Sequence, residues 1–254
     1  MEQIQKTEYR APALEKGLEI LELLACQAEP LTKKQISIQL NRSVNEIFRM
    51  LSVLVEKQYI EFDADTATYT LTLKMFALSN QAPPIALLLK KARPLMETLS
   101  YSVNQSCHIS RYSNGKLIVI ASQESPYKMA FSLRIGAELD IGASGSGLVL
   151  LSFIEPEKRS EILAQQDGFT SENLDVIANK IAMIEELGYY VGESPQISGV
   201  TNISVPIFGV LDEIVAVITV PYMTLNSKTV SHDIADIEKT RDELLKVAEK
   251  LHQR

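Results

Sequence analysis

Apolar side chains recur every three or four positions near the start of the chain, which is the spacing of one face of a helix. Leu14, Leu18, Leu21 and Ala25 follow this spacing and predict an amphipathic helix over residues 13–25. Ile20 and Leu24 widen its apolar face. We expect this helix to pack beneath the segment that follows it, where helical spacing occurs twice more.

The segment from Thr32 to Lys57 predicts two helices joined by a short polar turn. Ile36 and Leu40 lie on one face of the first helix. Ser43 stands where the second helix is expected to begin and can cap it. The second helix carries an apolar stripe at Val44, Ile47, Leu51 and Leu54. Its opposite face is polar and can meet base edges or phosphates.

Two short helices with a polar face on the second fit a helix-turn-helix whose second helix enters a DNA major groove. An ordinary helical hairpin is the alternative. Apolar and polar residues alternate at residues 59–62 and 68–71, on either side of a turn at residues 63–67, which predicts a β-hairpin. Two helices followed by a hairpin are the order of elements in a winged helix. The residues predicted to contact DNA are Lys33, Arg42, Ser43, Asn45, Glu46, Phe48 and Arg49, with Thr66 and Thr68 at or near the wing tip.

Two further helical stretches lie around Pro83-Pro84. They are predicted over residues 71–79 and 85–103, and Pro94 requires a kink or a restart in the second. Their apolar surface exceeds what one helix buries, which favours an interdomain linker that also forms a dimer contact. A linker packed only on its own domain is the alternative. The predicted divisions are a winged helix-turn-helix domain at residues 1–74, linker helices at 75–104 and a second domain at 105–254.

From Ser106 onward the pattern changes to short alternating segments separated by helices. Strands are predicted at residues 107–112, 116–122, 128–133, 189–193, 202–208 and 214–221. Helices are predicted at residues 148–154, 156–165, 171–187 and 227–252. Antiparallel strands in two groups with helices between them make an α+β, sensor-like domain, so the predicted fold class is α+β.

Charge is distributed unevenly along the 254 residues. The formal net charge of −7 gives no global basic field. Residues 31–60 nevertheless contain five bases and two acids, a local net charge of +3. A weakly basic patch of this kind suits a specific DNA binder with few phosphate contacts per protomer, which needs to dimerise for affinity.

The sequence gives little support for a secreted, a metal-binding or a membrane protein. Cys26 and Cys107 lie in apolar surroundings without CxxC spacing, which predicts reduced core residues and a cytoplasmic location. The three scattered histidines form no metal-ligand cluster, so we expect no metal and no cofactor. The first ten residues lack the apolar run of a signal peptide, and no stretch reaches the length of a membrane span, so no membrane partner is expected.

Short motifs follow one another in a characteristic order along the chain. They are Ala13–Leu21, Arg49–Leu51, Tyr69–Leu71, Ile135-Gly136 with Ala143–Gly147, Leu187–Tyr189 and Ser198–Phe208. In this order and spacing the chain resembles the IclR family of bacterial transcriptional regulators. The resemblance implies a winged helix that binds a double-stranded DNA operator as a homodimer or dimer of dimers. It also implies a GAF-like C-terminal domain that binds a small organic-acid effector.

The second helix departs from the resemblance at Asn45-Glu46, where members of the family usually have Ser-Thr. DNA binding is still expected, but the operator sequence does not follow from these residues. Glu46 has two open interpretations, since its carboxylate can accept a hydrogen bond from a cytosine amino group or repel nearby phosphates.

Residues 142–147, Gly-Ala-Ser-Gly-Ser-Gly, carry the most suggestive chemistry of the second domain. Glycines admit a close approach of the backbone, and free N–H groups where a helix begins near Ser146 make an anion site. A glycine-rich turn with a serine cap is the alternative. The resemblance favours an effector pocket beside this helix, with Met129 and Phe131 on the preceding strand. The implied pocket residues are Met129, Phe131, Ser144, Gly145, Ser146, Glu193, Val200, Asn202, Thr219 and Pro221.

Three functions are compatible with these features. The first is a transcription regulator whose operator affinity is modulated by the effector. The second is an enzyme built on the C-terminal domain, which is disfavoured because no nucleophile–base pair or phosphate loop is present; His108 is the only candidate base in the first half of that domain. The third is a ligand-sensing adaptor that does not bind DNA. The first interpretation is adopted, and no catalytic residue is assigned.

Overall fold

In a computed structural model, the protein consists of two compact units. The first unit is Met1–Ala86 and the second is Leu87–Arg254. The structure describes residues 11–81, 83–165, 171–224 and 235–252. Within these ranges, no helix is both long and apolar enough to cross a bilayer.

The first unit is a winged helix, as the sequence predicts. Its elements are α1 (Pro12–Ala25), β1 (Leu31–Thr32), α2 (Lys33–Gln39), α3 (Val44–Glu56), β2 (Ile60–Asp63), β3 (Thr68–Leu71) and α4 (Lys74–Gln81). The three strands form an antiparallel sheet in the order β1-β3-β2. The predicted helix over residues 71–79 begins later, at Lys74, because Leu71 is held in the sheet opposite Ile60.

The core of the first unit uses only part of the predicted apolar face of α1. Ile20, Leu21 and Leu24 are buried against α2, α3 and the wing, whereas Leu14 and Leu18 are 63% and 48% exposed. The apolar surface of α1 is wider than one stripe, and only tertiary packing selects its buried part. In α3, Ile47 and Leu51 are buried as predicted and Leu54 is partly buried, but Val44 at the first turn is 41% exposed.

The long helix α5 (Pro83–Val103) continues through Pro94 without the restart that the sequence allows. Its buried apolar side chains belong to the core of the second unit; they are Leu88, Ala92, Met96, Leu99 and Val103. The greater part of the predicted linker is therefore built into the second unit.

The second unit is an α+β domain around one six-stranded antiparallel sheet with the order β6-β5-β4-β9-β8-β7. Its strands are β4 (Cys107–Ser113), β5 (Lys116–Gln123), β6 (Glu138–Leu139), β7 (Tyr190–Glu193), β8 (Val200–Phe208) and β9 (Ile214–Met223). Its remaining helices are α6 (Gly145–Phe153), α7 (Pro156–Gln165), α8 (Ser171–Leu187) and α9 (Ile237–Leu251).

Two hydrophobic clusters lie on opposite faces of this sheet. One joins the sheet to α5 and α9, and the other joins it to α6, α7 and α8. Helix α9 has Asp236 as its N-cap, while residues 225–234, where the sequence predicts its first turns, lie outside the described residues.

Two expectations about the second unit and the cysteines are wrong. Residues 128–133 form no strand; the edge of β5 is paired with later residues, because Val119 exchanges backbone hydrogen bonds with Gly136 and Ala137 and the short strand β6 follows. Cys107 is buried as predicted, but Cys26 is exposed because it lies beyond the last turn of α1.

Candidate DNA-contacting face and effector pocket

Ser43 caps helix α3, as the sequence predicts, and the cap is one half of a capping box with Glu46. Glu46 N donates to Ser43 Oγ at 3.4 Å, and Ser43 N and Oγ donate to Glu46 Oε2 at 3.1 and 2.7 Å. Helix α2 has the same arrangement between Thr32 and Gln35. These reciprocal bonds satisfy the first backbone donors of each helix and set the position of the turn between them.

The carboxylate of Glu46 is engaged on both oxygens inside the first unit. Oε2 takes part in the capping box, and Oε1 accepts from Lys16 Nζ on α1 at 2.6 Å. The hydrogen bond from Lys16, followed by those from Ser43, lowers the pKa of Glu46 to about 2. This gives Glu46 a structural role that neither of its two sequence-based interpretations includes.

Arg42 at the turn is similarly engaged with α1. Its Nε and Nη2 donate to the two carboxylate oxygens of Glu19 at 3.0 and 2.8 Å. The hydrogen bond to Glu19 also raises the pKa of the guanidinium. Of the residues predicted to contact DNA, Arg42 and Glu46 are thus the two whose charged groups pair with residues of the same unit.

The polar face of α3 keeps two unpaired groups in solvent. Asn45 and Arg49 are exposed, and in the described parts of the chain neither side chain has an ion-pair or hydrogen-bond partner. Phe48 between them is 52% exposed, and Lys33 Nζ lies 4.8 Å from the centre of its ring. An amide, a guanidinium and a ring on one helix face suit a groove of DNA.

The wing ends in a tight turn that brings its two threonines together. Asp63 Oδ1 accepts from the amides of Asp65 and Thr66, and Ala67 has a left-handed φ of 55°. The hydroxyl oxygens of Thr66 and Thr68 lie 2.7 Å apart. Both threonines are at the wing tip, where the sequence predicts them.

An apolar depression of about 560 Å³ lies among α1, α3 and α4 of the first unit. We call it the α1–α4 groove; the side chains that define it are Leu14, Leu18, Met50, Val53, Leu54, Tyr59, Met75 and Leu78. It contains the leucines that the sequence pattern assigns to the core. Sequence reasoning therefore identified the residues as apolar but missed the surface that they form.

In the second unit a row of polar side chains crosses the sheet. Strand pairing sets Ser122, His108, Thr219, Ser204 and Tyr190 side by side on β5, β4, β9, β8 and β7. Directly paired residues point to the same face of a sheet, so these five share one face. It is the face covered by α6, because Tyr190 packs in the cluster of that helix.

Helix α6 begins directly above this row and approaches it closely. A Cβ placed on Gly145 would lie 2.8 Å from the Tyr190 ring and 2.9 Å from Ser204 Oγ, which explains the glycine there. Ser144 is the N-cap, and its Oγ accepts from Gly147 N at 3.0 Å. The glycine-rich turn with a serine cap, which was the alternative to an anion site, is therefore present. A cavity also lies beside it.

The hydroxyls of the row form a buried chain. Ser146 Oγ and Thr219 Oγ1 are 2.8 Å apart, and Thr219 Oγ1 donates to Ser204 Oγ at 2.8 Å. All three residues are almost fully buried, with exposures of 2% or less. This chain fixes the start of α6 to the centre of the sheet.

A small cavity of about 30 Å³ lies between the start of α6, the sheet and two loops. We call it the α6 pocket; its lining is His108, Phe131, Leu133, Leu139, Ser144, Gly145, Ser146, Ser194, Pro195, Gln196, Asn202, Thr219 and Pro221. The structure thus brings together seven of the ten residues that the sequence implies.

The other three implied residues lie elsewhere. Met129 is in a loop, not on a strand, and is 48% exposed. Glu193 pairs with Thr201, one position from Asn202, so it is on the opposite face of the sheet and exposed. Val200 is buried, but it is the first residue of β8, two positions before Asn202, and does not line the pocket.

His108 is the pocket residue to which sequence reasoning assigned no binding role. It is 3% exposed, and neither ring nitrogen has a hydrogen-bond partner in the described parts of the chain. Burial lowers the pKa of His108 to about 4, so the imidazole is neutral near pH 7. The sequence does contain a signal for this position. Cys107 and Ile109, on either side of His108, point into the core on one face of the sheet, so His108 must point to the other face.

Two family models match the chain in sequence. The model described as the IclR helix-turn-helix domain matches residues 13–64, and the one described as bacterial transcriptional regulator IclR C-terminal matches residues 85–252. The second match alone covers more than half of the chain.

Curated relatives are named as transcriptional regulators. The HTH-type transcriptional regulator KdgR of Dickeya chrysanthemi is 23% identical over 196 residues, which cover 75% of this chain and 64% of that protein. The HTH-type transcriptional repressor AllR of Escherichia coli K12 is 24% identical over 215 residues, covering 83% of this chain and 79% of that protein.

Solved structures of similar fold include an IclR homolog and an IclR. An IclR homolog of Microbacterium hydrocarbonoxydans complexed with 4-hydroxybenzoate has a TM-score of 0.78 and 19% identity, covering 94% of this chain and 97% of that one. The IclR of Thermotoga maritima has a TM-score of 0.72 and 21% identity, covering 94% of this chain and 96% of that one. At these identities the structures support the fold.

Proposed function

Because this chain belongs to the IclR family of bacterial transcriptional regulators, we propose that it binds an operator in double-stranded DNA and that a small organic acid modulates this binding. The observation that carries the proposal is the exposed face of α3, where Asn45 and Arg49 have no partner in the described part of the first unit. A capped helix that presents unpaired polar groups in a winged fold is suited to reading a major groove.

The proposed contacts divide between the helix and the wing. Asn45, Phe48 and Arg49 would meet base edges, while Lys33 and Ser43 would meet phosphates near the start of α3. Arg42 and Glu46 remain next to this face, but their pairing with α1 would make them supports of the DNA-contacting residues more than contacts themselves. Thr66 and Thr68 would meet the backbone beside the groove.

The α6 pocket is the proposed effector site. Its wall offers hydroxyls, an amide and an imidazole, and the start of α6 adds backbone N–H groups that favour an anion. The solved relative that carries 4-hydroxybenzoate supports an acid as the class of ligand. A cavity of about 30 Å³ has room for about one water, so the surrounding loops must move apart for a larger acid.

The α1–α4 groove is the proposed dimer contact. It exposes leucines and methionines that a monomer would leave in water, and the local charge of the helix-turn-helix is too small for tight binding by one protomer. We propose a homodimer, or a dimer of dimers, acting in the cytoplasm.

A DNA titration tests the proposal. Fluorescence anisotropy should show that the protein binds the region upstream of its own gene more tightly than a scrambled duplex of equal length and composition. Addition of small organic acids should shift that affinity. Equal affinity for both duplexes at several salt concentrations would count against specific regulation and favour the adaptor.

A further inference from the structure

We propose that His108 contacts the effector directly and that a carboxylate effector binds together with one proton, which the His108 imidazole then carries. The inference rests on the proposed role of the α6 pocket as the effector site. It adds a residue to that site and defines the ionic form in which the ligand is taken up.

The first support is the unsatisfied state of the imidazole. His108 lines the pocket, is 3% exposed and has no hydrogen-bond partner for Nδ1 or Nε2 in the described residues. Buried polar groups without a partner are rare because each leaves a desolvation cost uncompensated. A molecule entering the pocket is the group placed to supply the missing partner.

The second support is the absence of any charged side chain in the described pocket lining. Helix α6 contributes serine and glycine, the loops contribute apolar residues with Ser194 and Gln196, and the neighbouring strands contribute Asn202, Thr219 and Pro221. Ser122, paired with His108 on β5, is also neutral. Tyr190, three strands from His108 in the polar row, can only become negative, and burial raises its pKa.

His108 is therefore the side chain in this lining that can become a cation. The amides at the start of α6 add only partial positive charge. A carboxylate that leaves water for this pocket needs a compensating charge. Protonation of His108 supplies that charge without any other side chain having to move into the pocket.

Proton uptake follows from the difference between the empty and the filled pocket. Burial keeps the pKa of His108 near 4 when the pocket is empty, and an adjacent carboxylate raises it. Between these two pKa values, binding takes up a proton, and the affinity for the acid rises by up to about tenfold for each unit that the pH falls. A neutral alcohol or amide of the same size shows no such dependence.

Calorimetry with matched probes tests the inference. The full-length protein is titrated at about pH 6 with acetate, glycolate, lactate and 4-hydroxybenzoate, and with acetamide, glycolamide, lactamide and 4-hydroxybenzamide. Each titration is run in MES and in Bis-Tris, whose protonation enthalpies differ. We expect the acids that bind to take up a fraction of a proton, seen as a buffer-dependent enthalpy, and to bind more tightly than their amides.

Two variants assign the proton to His108. His108→Gln should lose the buffer-dependent enthalpy and weaken acid binding by at least about tenfold. His252→Gln, at the end of α9 against the Phe208 ring, should keep both properties. Circular dichroism and affinity for DNA without acid monitor the folding of each variant. If His108→Gln unfolds, the C2 proton of His108 in the wild-type NMR spectrum must titrate near pH 4 alone and at higher pH with acid.

Several results would overturn the inference while leaving the regulator intact. They are an acid that binds without proton uptake, an acid that binds His108→Gln as tightly as wild type, preference for the amides, or no binding by either series. Failure of the protein to prefer its upstream DNA would instead remove the proposed function, and the calorimetry would still decide whether His108 takes up the proton.

Discussion

Arg42, in the turn of the helix-turn-helix, donates two hydrogen bonds to the carboxylate of Glu19 on α1, at 3.0 and 2.8 Å. A second contact, between Lys16 and Glu46, joins the same two elements at 2.6 Å. Both pairs join α1 to the beginning of α3. They tie the proposed DNA-contacting face to α1, and they occupy the guanidinium of Arg42 with a carboxylate of the same unit.

Glu19→Gln should release Arg42 toward DNA. The free guanidinium should strengthen binding and increase the number of counterions released on binding by about one. Stability should fall only slightly, because both partners are about one-third exposed and water screens their attraction. Anisotropy titrations over a range of KCl measure the slope. Glu22→Gln, an exposed acid on the same helix, controls for the loss of charge alone. Equal slopes in the two variants would show that Glu19 does not restrain Arg42.

Arg49→Ala should weaken operator binding by about 1–3 kcal/mol, because it removes a guanidinium from the exposed face of α3. The circular dichroism spectrum should not change, since Arg49 has no ion-pair partner among the residues the structure describes. Lys246→Ala, an exposed cation on α9, is the matched control and should bind as wild type does. Wild-type affinity in Arg49→Ala would exclude this face as the contact.

Gly145→Ala should destabilise the second unit by about 1–3 kcal/mol, because its Cβ would meet the Tyr190 ring, Ser204 Oγ and Asn202 Cβ at 2.8–3.0 Å. Urea denaturation measures the change. Gly17→Ala is the contrasting variant: nothing lies within 4 Å of its Cβ, and the substitution should stabilise α1 by up to about 1 kcal/mol. Stabilisation by Gly145→Ala would show that α6 does not approach the sheet as described.

Burial of neutral His108 should make the protein less stable as the pH falls. The unfolded chain binds a proton on this imidazole below about pH 6.5, but the folded chain does so only near pH 4. Stabilisation is therefore complete above pH 6.5 and is lost between these values, by about 3 kcal/mol in total. His108→Gln should lose this dependence in urea titrations across the window. A parallel decline in both proteins would assign it to other groups.

The pH window of Glu46 lies lower, which separates the two effects. Its pKa is lowered from 4.5 to about 2 in the folded chain. The stability that it contributes is therefore present above pH 4.5 and is lost as the pH falls toward 2. Between pH 4.5 and 6.5 the contribution of Glu46 to stability is nearly constant. A difference in pH dependence between His108→Gln and wild type in this range therefore reports on His108.

Leu18→Glu should prevent dimerisation if the α1–α4 groove is the dimer contact. Leu18 is 48% exposed within the groove, and a carboxylate there would be buried without a partner. Sedimentation at micromolar concentration should give a multiple of 28.3 kDa for wild type and 28.3 kDa for the variant. Leu211→Glu, at a leucine that is 86% exposed in the second unit, should keep the wild-type mass. A monomeric wild type, with or without operator, would contradict the proposed dimer.

The sequence by itself determined the features that depend on near neighbours. Most of the apolar stripe of α3, the cap that Ser43 gives this helix, and the strands predicted at residues 107–112 and 116–122 all involve residues at most a few positions apart, and the structure contains each of them. The order of these elements was enough to predict a winged helix followed by an α+β domain. Seven of the ten pocket residues that the resemblance implies also lie together. Six of them are on or beside helices and strands that the pattern located, whereas Phe131 is in a loop where a strand was predicted.

Tertiary structure decided which of several possible faces is used and which distant residues meet. Leu14 and Leu18 are as apolar as Ile20 and Leu24, so local pattern could not say which pair α1 would bury. The contacts of α1 with the start of α3, and the alignment of His108 with Thr219 and Ser204, depend on packing and on strand register between remote segments. Spacing along the chain contains no record of that register, because two strands far apart in sequence can shift past each other until the whole sheet and its helices have formed.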